Sequence, residues 1–157
     1  LQFDLAICGA PQHKNIFAVL PGMDTTDKSI ILIEGHIDSR CEVLCDTACN
    51  AQGVEDNASG TALVLELCRV MSKYSYNHTI VFVVTIGEEQ GLYGAEAFAD
   101  YVQLKGILMK AVQNNDVIGG VSADKHHPLQ AARGLITLTA LRYACFLQAD
   151  LIQNIKA

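Results

Sequence analysis

A chain of 157 residues is long enough to bury one real core, and with half of them hydrophobic and 18% charged it is neither disordered nor fibrous. A formal net charge of −6 argues against nucleic acid or an anionic membrane as partner. Glu34, Glu66 and Glu88 interrupt the candidate apolar runs, so none reaches the length that spans a bilayer.

The first residue is Leu1, with no basic-then-apolar leader, which reads as a processed or partial sequence. Residues 3–8 and 15–20 read as short strands, the second closed by Pro21–Gly22. Residues 30–34 form a continuous apolar run ending at Gly35, the pattern of a strand covered on both faces. A helix is expected from Asn57 or Ser59, with Leu63, Leu67, Val70, Met71 and Tyr74 on its apolar side and Glu66, Arg69 and Lys73 opposite. Residues 79–86 read as a strand, 92–104 as a helix that stops before Gly106, and 107–112 as a strand running into Asn114–Asn115–Asp116. Apolar positions at Leu135, Leu138, Leu141, Cys145, Ala149 and Ile152 predict an amphipathic helix in the tail. Strand and helix alternate with no repeat or linker between them. The expected architecture is therefore a single α/β domain, a sheet with helices on both faces, in which residues following the strands converge on one edge.

Six cysteines are present, three of them, Cys41, Cys45 and Cys49, at four-residue spacing. A zinc knuckle usually has tighter pairs, C-x₂₋₄-C, with a second pair elsewhere. A disulfide within this loop, in an exported protein, is the preferred reading. Cys68 falls on the apolar side of its helix and reads as a small core residue.

The strand at 81–86 leads into Gly87 and two adjacent acids, Glu88 and Glu89. Neighbouring carboxylates at a buried strand end repel unless a cation or a shared proton relieves them; otherwise they belong to a solvated turn. His36 and Asp38 follow the 30–34 strand, and alternation along an extended chain sends both side chains to one side. A neutral histidine can bind a metal through one nitrogen while a carboxylate holds the other. Asp56 precedes a helix, where it is either an N-cap or a ligand, and Asp116 ends the following strand. Oxygen donors with an imidazole suit zinc, and less well manganese or cobalt. A second ion accounts for so many carboxylates in one place, with one acid left free of metal to take a proton from water.

Five strings in order, at residues 15–22 (NIFAVLPG), 31–39 (ILIEGHIDS), 53–60 (GVEDNASG), 87–95 (GEEQGLYGA) and 115–119 (NDVIG), give the chain its resemblance. It resembles the co-catalytic zinc exopeptidases of the secreted aminopeptidase kind, whose relatives include aminopeptidase Y, glutamate carboxypeptidases and glutaminyl cyclases. The resemblance implies a three-layer α/β/α sandwich around a mixed, mainly parallel sheet, here shortened: one catalytic domain over residues 1–157, partial at the N-terminus and after about residue 120. It implies that His36 binds the first zinc and Asp38 orients it. Asp56 would bridge two zinc ions, and its peptide bond to Asn57 would be cis. Glu88 would be the general base, Glu89 a ligand of the second zinc and Asp116 a ligand of the first.

After Gly120 the chain departs from the family pattern, which brings one more histidine to the second metal from much further along. His126–His127–Pro128–Leu129 resembles the family's His-x-Pro-Phe ending, with His126 in the ligand position; the same residues also suit an exposed turn. The expected function is removal of N-terminal residues from peptides by a secreted or periplasmic enzyme. The alternatives are a single-zinc glutaminyl cyclase and a non-catalytic domain that keeps the fold.

Overall fold

A computed structural model describes residues 1–3, 7–9 and 12–118. The expected tail helix, Cys145 and His126 lie outside the described residues.

Strands β1 (Gln2–Phe3) and β2 (His13–Lys14) form a small antiparallel ribbon. The main sheet contains β3 (Ile16–Leu20), β4 (Ile30–His36), β5 (Thr79–Thr85) and β6 (Met109–Asn114), in the order β3-β5-β4-β6. β4, β5 and β6 are parallel, and β3 runs antiparallel to β5. Helix α1 (Ser59–Met71) connects β4 to β5, and α2 (Tyr93–Leu104) connects β5 back across β4 to β6. The two crossovers run in opposite directions, so connections of the same hand lay their helices on opposite faces.

Two apolar layers result. Ile30, Leu32, Val81 and Val83 pack with Phe98 and Val102 of α2. Ile33, Ile80, Phe82 and Val84 pack with Val64 of α1, with Leu67, Cys68 and Met71 at the margin. The alternation of β4 and β5 between these layers is the period-two pattern of strands buried on both sides. The architecture is the expected three-layer α/β/α sandwich around a mixed, mainly parallel sheet.

Two local expectations are corrected, for the N-terminal segment and for α1, and the disulfide expected within the cysteine loop is present. Residues 3–8 are not one strand: β1 ends at Phe3, and Ile7–Gly9 form a tight 3₁₀ turn in which Cys8 takes a left-handed conformation (φ 62°). The buried face of α1 runs through Thr61 and Val64, whereas Val70 is exposed and Tyr74 lies beyond the helix end. The cysteine loop holds two disulfides, Cys41–Cys49 within it and Cys8–Cys45 tying it to the N-terminal segment, so no thiolate there is free for zinc. Cys68 is half-buried against the α1 layer, as expected.

One acid sits in the buried run of β4. Glu34 is 3% exposed, and neither carboxylate oxygen has a hydrogen-bond partner among the described residues. Burial pushes its pKa up to about 7, with nearby His36 pulling the other way.

Candidate metal centre

The carboxyl ends of β4, β5 and β6 meet at one edge of the sheet, where open α/β sheets build their sites. His36 is the last residue of β4. Its imidazole is buried, and its main-chain carbonyl accepts a hydrogen bond from the Thr61 hydroxyl at 2.7 Å. Nδ1 lies 3.0 Å from the carbonyl oxygen of Asp38. A carbonyl only accepts, so Nδ1 is the donor and Nε2 is the atom left for another partner.

Nε2 faces three carboxylates: Asp56 Oδ1 at 3.2 Å, Asp116 Oδ1 at 3.4 Å and Glu88 Oε2 at 4.0 Å. None of these contacts is a hydrogen bond. Nε2 and Asp116 Oδ1 are both buried without a hydrogen-bond partner among the described residues. Burial by itself lowers the histidine pKa; here Asp116, Asp38 and Glu88 outweigh it and lift His36 to about 10. A divalent ion fits this spot on chemical grounds. His36, Asp56 and Asp116 each offer a ligand atom, all within 4.8 Å of one another, and an ion there replaces the proton that the cluster otherwise retains.

Asp56 reaches the cluster from the turn before α1. The single π-type turn Val54–Ala58 contains the expected cis bond between Asp56 and Asn57. The N-cap reading of Asp56 fails: α1 starts at Ser59, and its flanking residue Ala58 makes no side-chain cap. The neighbour performs that task. Asn57 Oδ1 accepts from the Gly60 N–H at 2.9 Å and from the Val117 N–H at 3.3 Å, while its Nδ2 donates to the Asn115 carbonyl at 2.8 Å. Asn115 in turn donates to the Glu34 carbonyl from its main chain at 2.9 Å and from its side chain at 3.0 Å. These two buried amides fasten the start of α1, the end of β4 and the loop after β6 to one another, so Asp56 and Asp116 are delivered by a single interlocked unit. Gly60 belongs to it because a Cβ there would run into the Asn57 amide and the Asn115 carbonyl.

The glutamate pair sits on the loop after β5. Gly87 turns the chain out of the strand with φ 81°, a conformation that favours glycine. The Glu88 carbonyl then accepts from the N–H groups of Gly91 at 2.8 Å and Leu92 at 2.9 Å. Asn15 braces both ends of this loop, accepting from the Ile86 N–H at 3.2 Å and donating to the Gly94 carbonyl at 2.5 Å. From the β4 side, the Asp38 carboxylate accepts the N–H groups of Glu88 at 3.3 Å and Glu89 at 3.1 Å. Asp38 therefore orients the glutamate pair with its carboxylate and the imidazole chiefly with its carbonyl, its Oδ1 lying 3.6 Å from Nδ1.

The two glutamates diverge as alternation requires. Glu88 faces His36; burial raises its pKa, His36 lowers it, and Asp116, Glu89 and Asp38 raise it further. Glu89 turns to Arg40, whose Nε lies 3.0 Å from its Oε2. The sequence does not single out Asn15, Asn115 or Arg40, and it marks Asn57 only as a possible helix start and as the partner of Asp56 in the cis bond. In hindsight, the adjacency of asparagine and aspartate in both Asp56–Asn57 and Asn115–Asp116 was the available signal.

The model of Peptidase family M28 matches residues 15–136. A probable zinc metalloprotease of Pyricularia oryzae is 36% identical over 111 residues, covering 71% of this chain and 22% of that protein. An aminopeptidase from Aneurinibacillus sp. strain AM-1 superimposes with a TM-score of 0.54 at 30% identity, over 69% of this chain and 25% of that one. A glutaminyl cyclase from an Acidobacteriales bacterium shares the fold, with a TM-score of 0.59 at 22% identity over 69% of this chain and 39% of that one. The chain thus spans about a quarter of the length of the metalloprotease and the aminopeptidase. The matched span takes in every described residue of the acidic cluster, and the chain belongs to peptidase family M28.

Proposed function

We propose that the protein is a zinc-dependent exopeptidase that hydrolyses residues from the N-termini of peptides. The observation that carries this reading is the buried Nε2 of His36, without a hydrogen-bond partner among the described residues, facing Asp56 and Asp116. Family membership and the similarity to a zinc metalloprotease and an aminopeptidase support the same assignment.

In this reading His36, Asp56 and Asp116 hold the ion. Zinc held there supplies a Lewis acid that polarises the scissile carbonyl and makes an attacking water more acidic. Glu88 is the general base: it takes the water's proton and returns it to the departing amine. Its carboxylate faces His36 without belonging to the metal-sized group, which leaves it available to carry the proton. Asp38 keeps Glu88 in place through its main-chain N–H and keeps His36 in the tautomer with Nε2 free. Export, by secretion or into a periplasm, belongs to the same proposal and is supported by the two disulfides.

The test is hydrolysis by the zinc-loaded protein of a peptide with a free N-terminus beside its N-acetylated counterpart. Cleavage of the free peptide alone is expected; equal cleavage of both overturns the exopeptidase assignment. Glu88→Gln is expected to retain zinc and to lower kcat by roughly 10²- to 10⁴-fold. Near-parental turnover in that variant removes Glu88 as the base.

A further inference from the structure

The acidic cluster contains five carboxylates, Asp38, Asp56, Glu88, Glu89 and Asp116, and they are not equivalent. Among the described residues, only Asp56 and Asp116 form a metal-sized group with His36. Glu89 lies apart from that group, although family resemblance makes it a ligand of a second ion. Its side chain is 12% exposed and meets Arg40, 48% exposed, at 3.0 Å. Among the described residues Arg40 is the one guanidinium or ammonium paired with any of the five acids.

Both members of this pair are held from behind. Glu89 is fixed by its N–H to Asp38 Oδ2 at 3.1 Å. Arg40 immediately precedes Cys41, which is bridged to Cys49, and Ser39 on its other side donates to the Ala51 carbonyl at 3.0 Å. A carboxylate as shielded from solvent as Glu89, set among four other acids, needs a positive partner. A guanidinium supplies one at every physiological pH, because arginine does not lose its proton there.

We propose that Arg40 is the built-in counter-ion of Glu89, standing in for the second metal ion, so that this protein binds one divalent ion tightly and a second only by displacing Arg40. The inference rests on the zinc reading of His36, Asp56 and Asp116. Arginine and a dication compete for the same carboxylate lone pairs. Glu89 paired with Arg40 therefore keeps the negative charge of the cluster in balance without acting as a ligand.

The test is zinc binding to the metal-free full chain, by equilibrium dialysis and elemental analysis at stepped free zinc, with the metal alone as probe. The parent protein is expected to saturate at one zinc per chain over a wide range. Arg40→Ala and Arg40→Gln are expected to take a second zinc at least roughly tenfold more tightly than the parent, the scale of one lost pairing between partly buried charges. Two ions of like affinity in the parent, or second-site affinity unchanged in both variants, overturns the role of Arg40 and leaves the zinc reading standing. No zinc bound by the parent overturns both. The half-exposed position of Arg40 makes it tolerant of substitution, and the glutamine variant keeps most of the side-chain stem should the alanine variant fold poorly.

Discussion

Around His36, Asp56 and Asp116 approach a buried nitrogen, and no guanidinium or ammonium lies among them in the described residues. Glu89, a carboxylate on the loop after β5, instead meets Arg40. The first arrangement is delivered by strand ends and buried amides; the second is delivered by an irregular loop pinned by disulfides. Acids converging on an imidazole that can exchange its proton for a metal leave room for a cation from solution, whereas an acid with its own arginine already has a permanent counter-charge. Counting carboxylates therefore overstates how much metal a site takes, and the partners of each one decide.

The sharpest way to break this comparison is to remove the nitrogen. His36→Ala is expected to lower zinc affinity by more than about a hundredfold, since losing even a residue behind a ligand costs 10- to 100-fold. Competition against a chelator measures it, and unchanged affinity would take His36 out of the centre. Next in size is Asn57→Ala, which leaves the N–H groups of Gly60 and Val117 and the Asn115 carbonyl without their side-chain partner. A loss of about 1–3 kcal/mol in denaturant stability is expected. A neutral result would mean that Asp56 and Asp116 are held independently.

Glu34 supplies the limiting case, a buried acid whose side chain has no hydrogen-bond partner among the described residues, and gives the smallest expected effect. With its pKa raised from an ordinary 4.5 to about 7, the folded chain keeps a proton that the unfolded chain has released. Stability should therefore fall as pH rises through that window and level off above it. Glu34→Met is expected to stabilise the fold by about 1–2 kcal/mol above pH 7 and by less near pH 5, as replacement of uncompensated buried charge by an apolar side chain does. Thermal unfolding at the two pH values checks it; an equal gain at both would mean that the charge is not the cause.

Much of the centre was legible because His36, Glu88 and Asp116 stand at or just after strand ends, which share one edge in an alternating α/β chain, and Asp56 stands just before the helix that leaves that edge. His36, Asp56, Glu88 and Asp116 converge for that reason, and the apolar runs of β4 and β5 announced strands buried on both faces. The fastening was not legible. Asn57 bonds 58 residues away and Asn115 bonds 81 residues away, and amide-to-backbone contacts at such distances leave no periodic trace. Asp38 was expected to hold the imidazole with its carboxylate, yet its carbonyl takes the shorter contact while the carboxylate holds the glutamate loop. Arg40 beside Glu89 was hidden for a different reason: the contact crosses between two loops, and loop geometry is set by turn and disulfide partners rather than by pattern.

The bridge between Cys8 and Cys45 joins residues 37 apart, and that between Cys41 and Cys49 residues 8 apart. In the chain-entropy view such closures restrict the unfolded chain by roughly 4 and about 2.5 kcal/mol respectively. Their effect falls on the unfolded chain, whose accessible shapes each closure reduces. The arginine opposite Glu89 is thus positioned less by what it touches than by how few other places its loop can go.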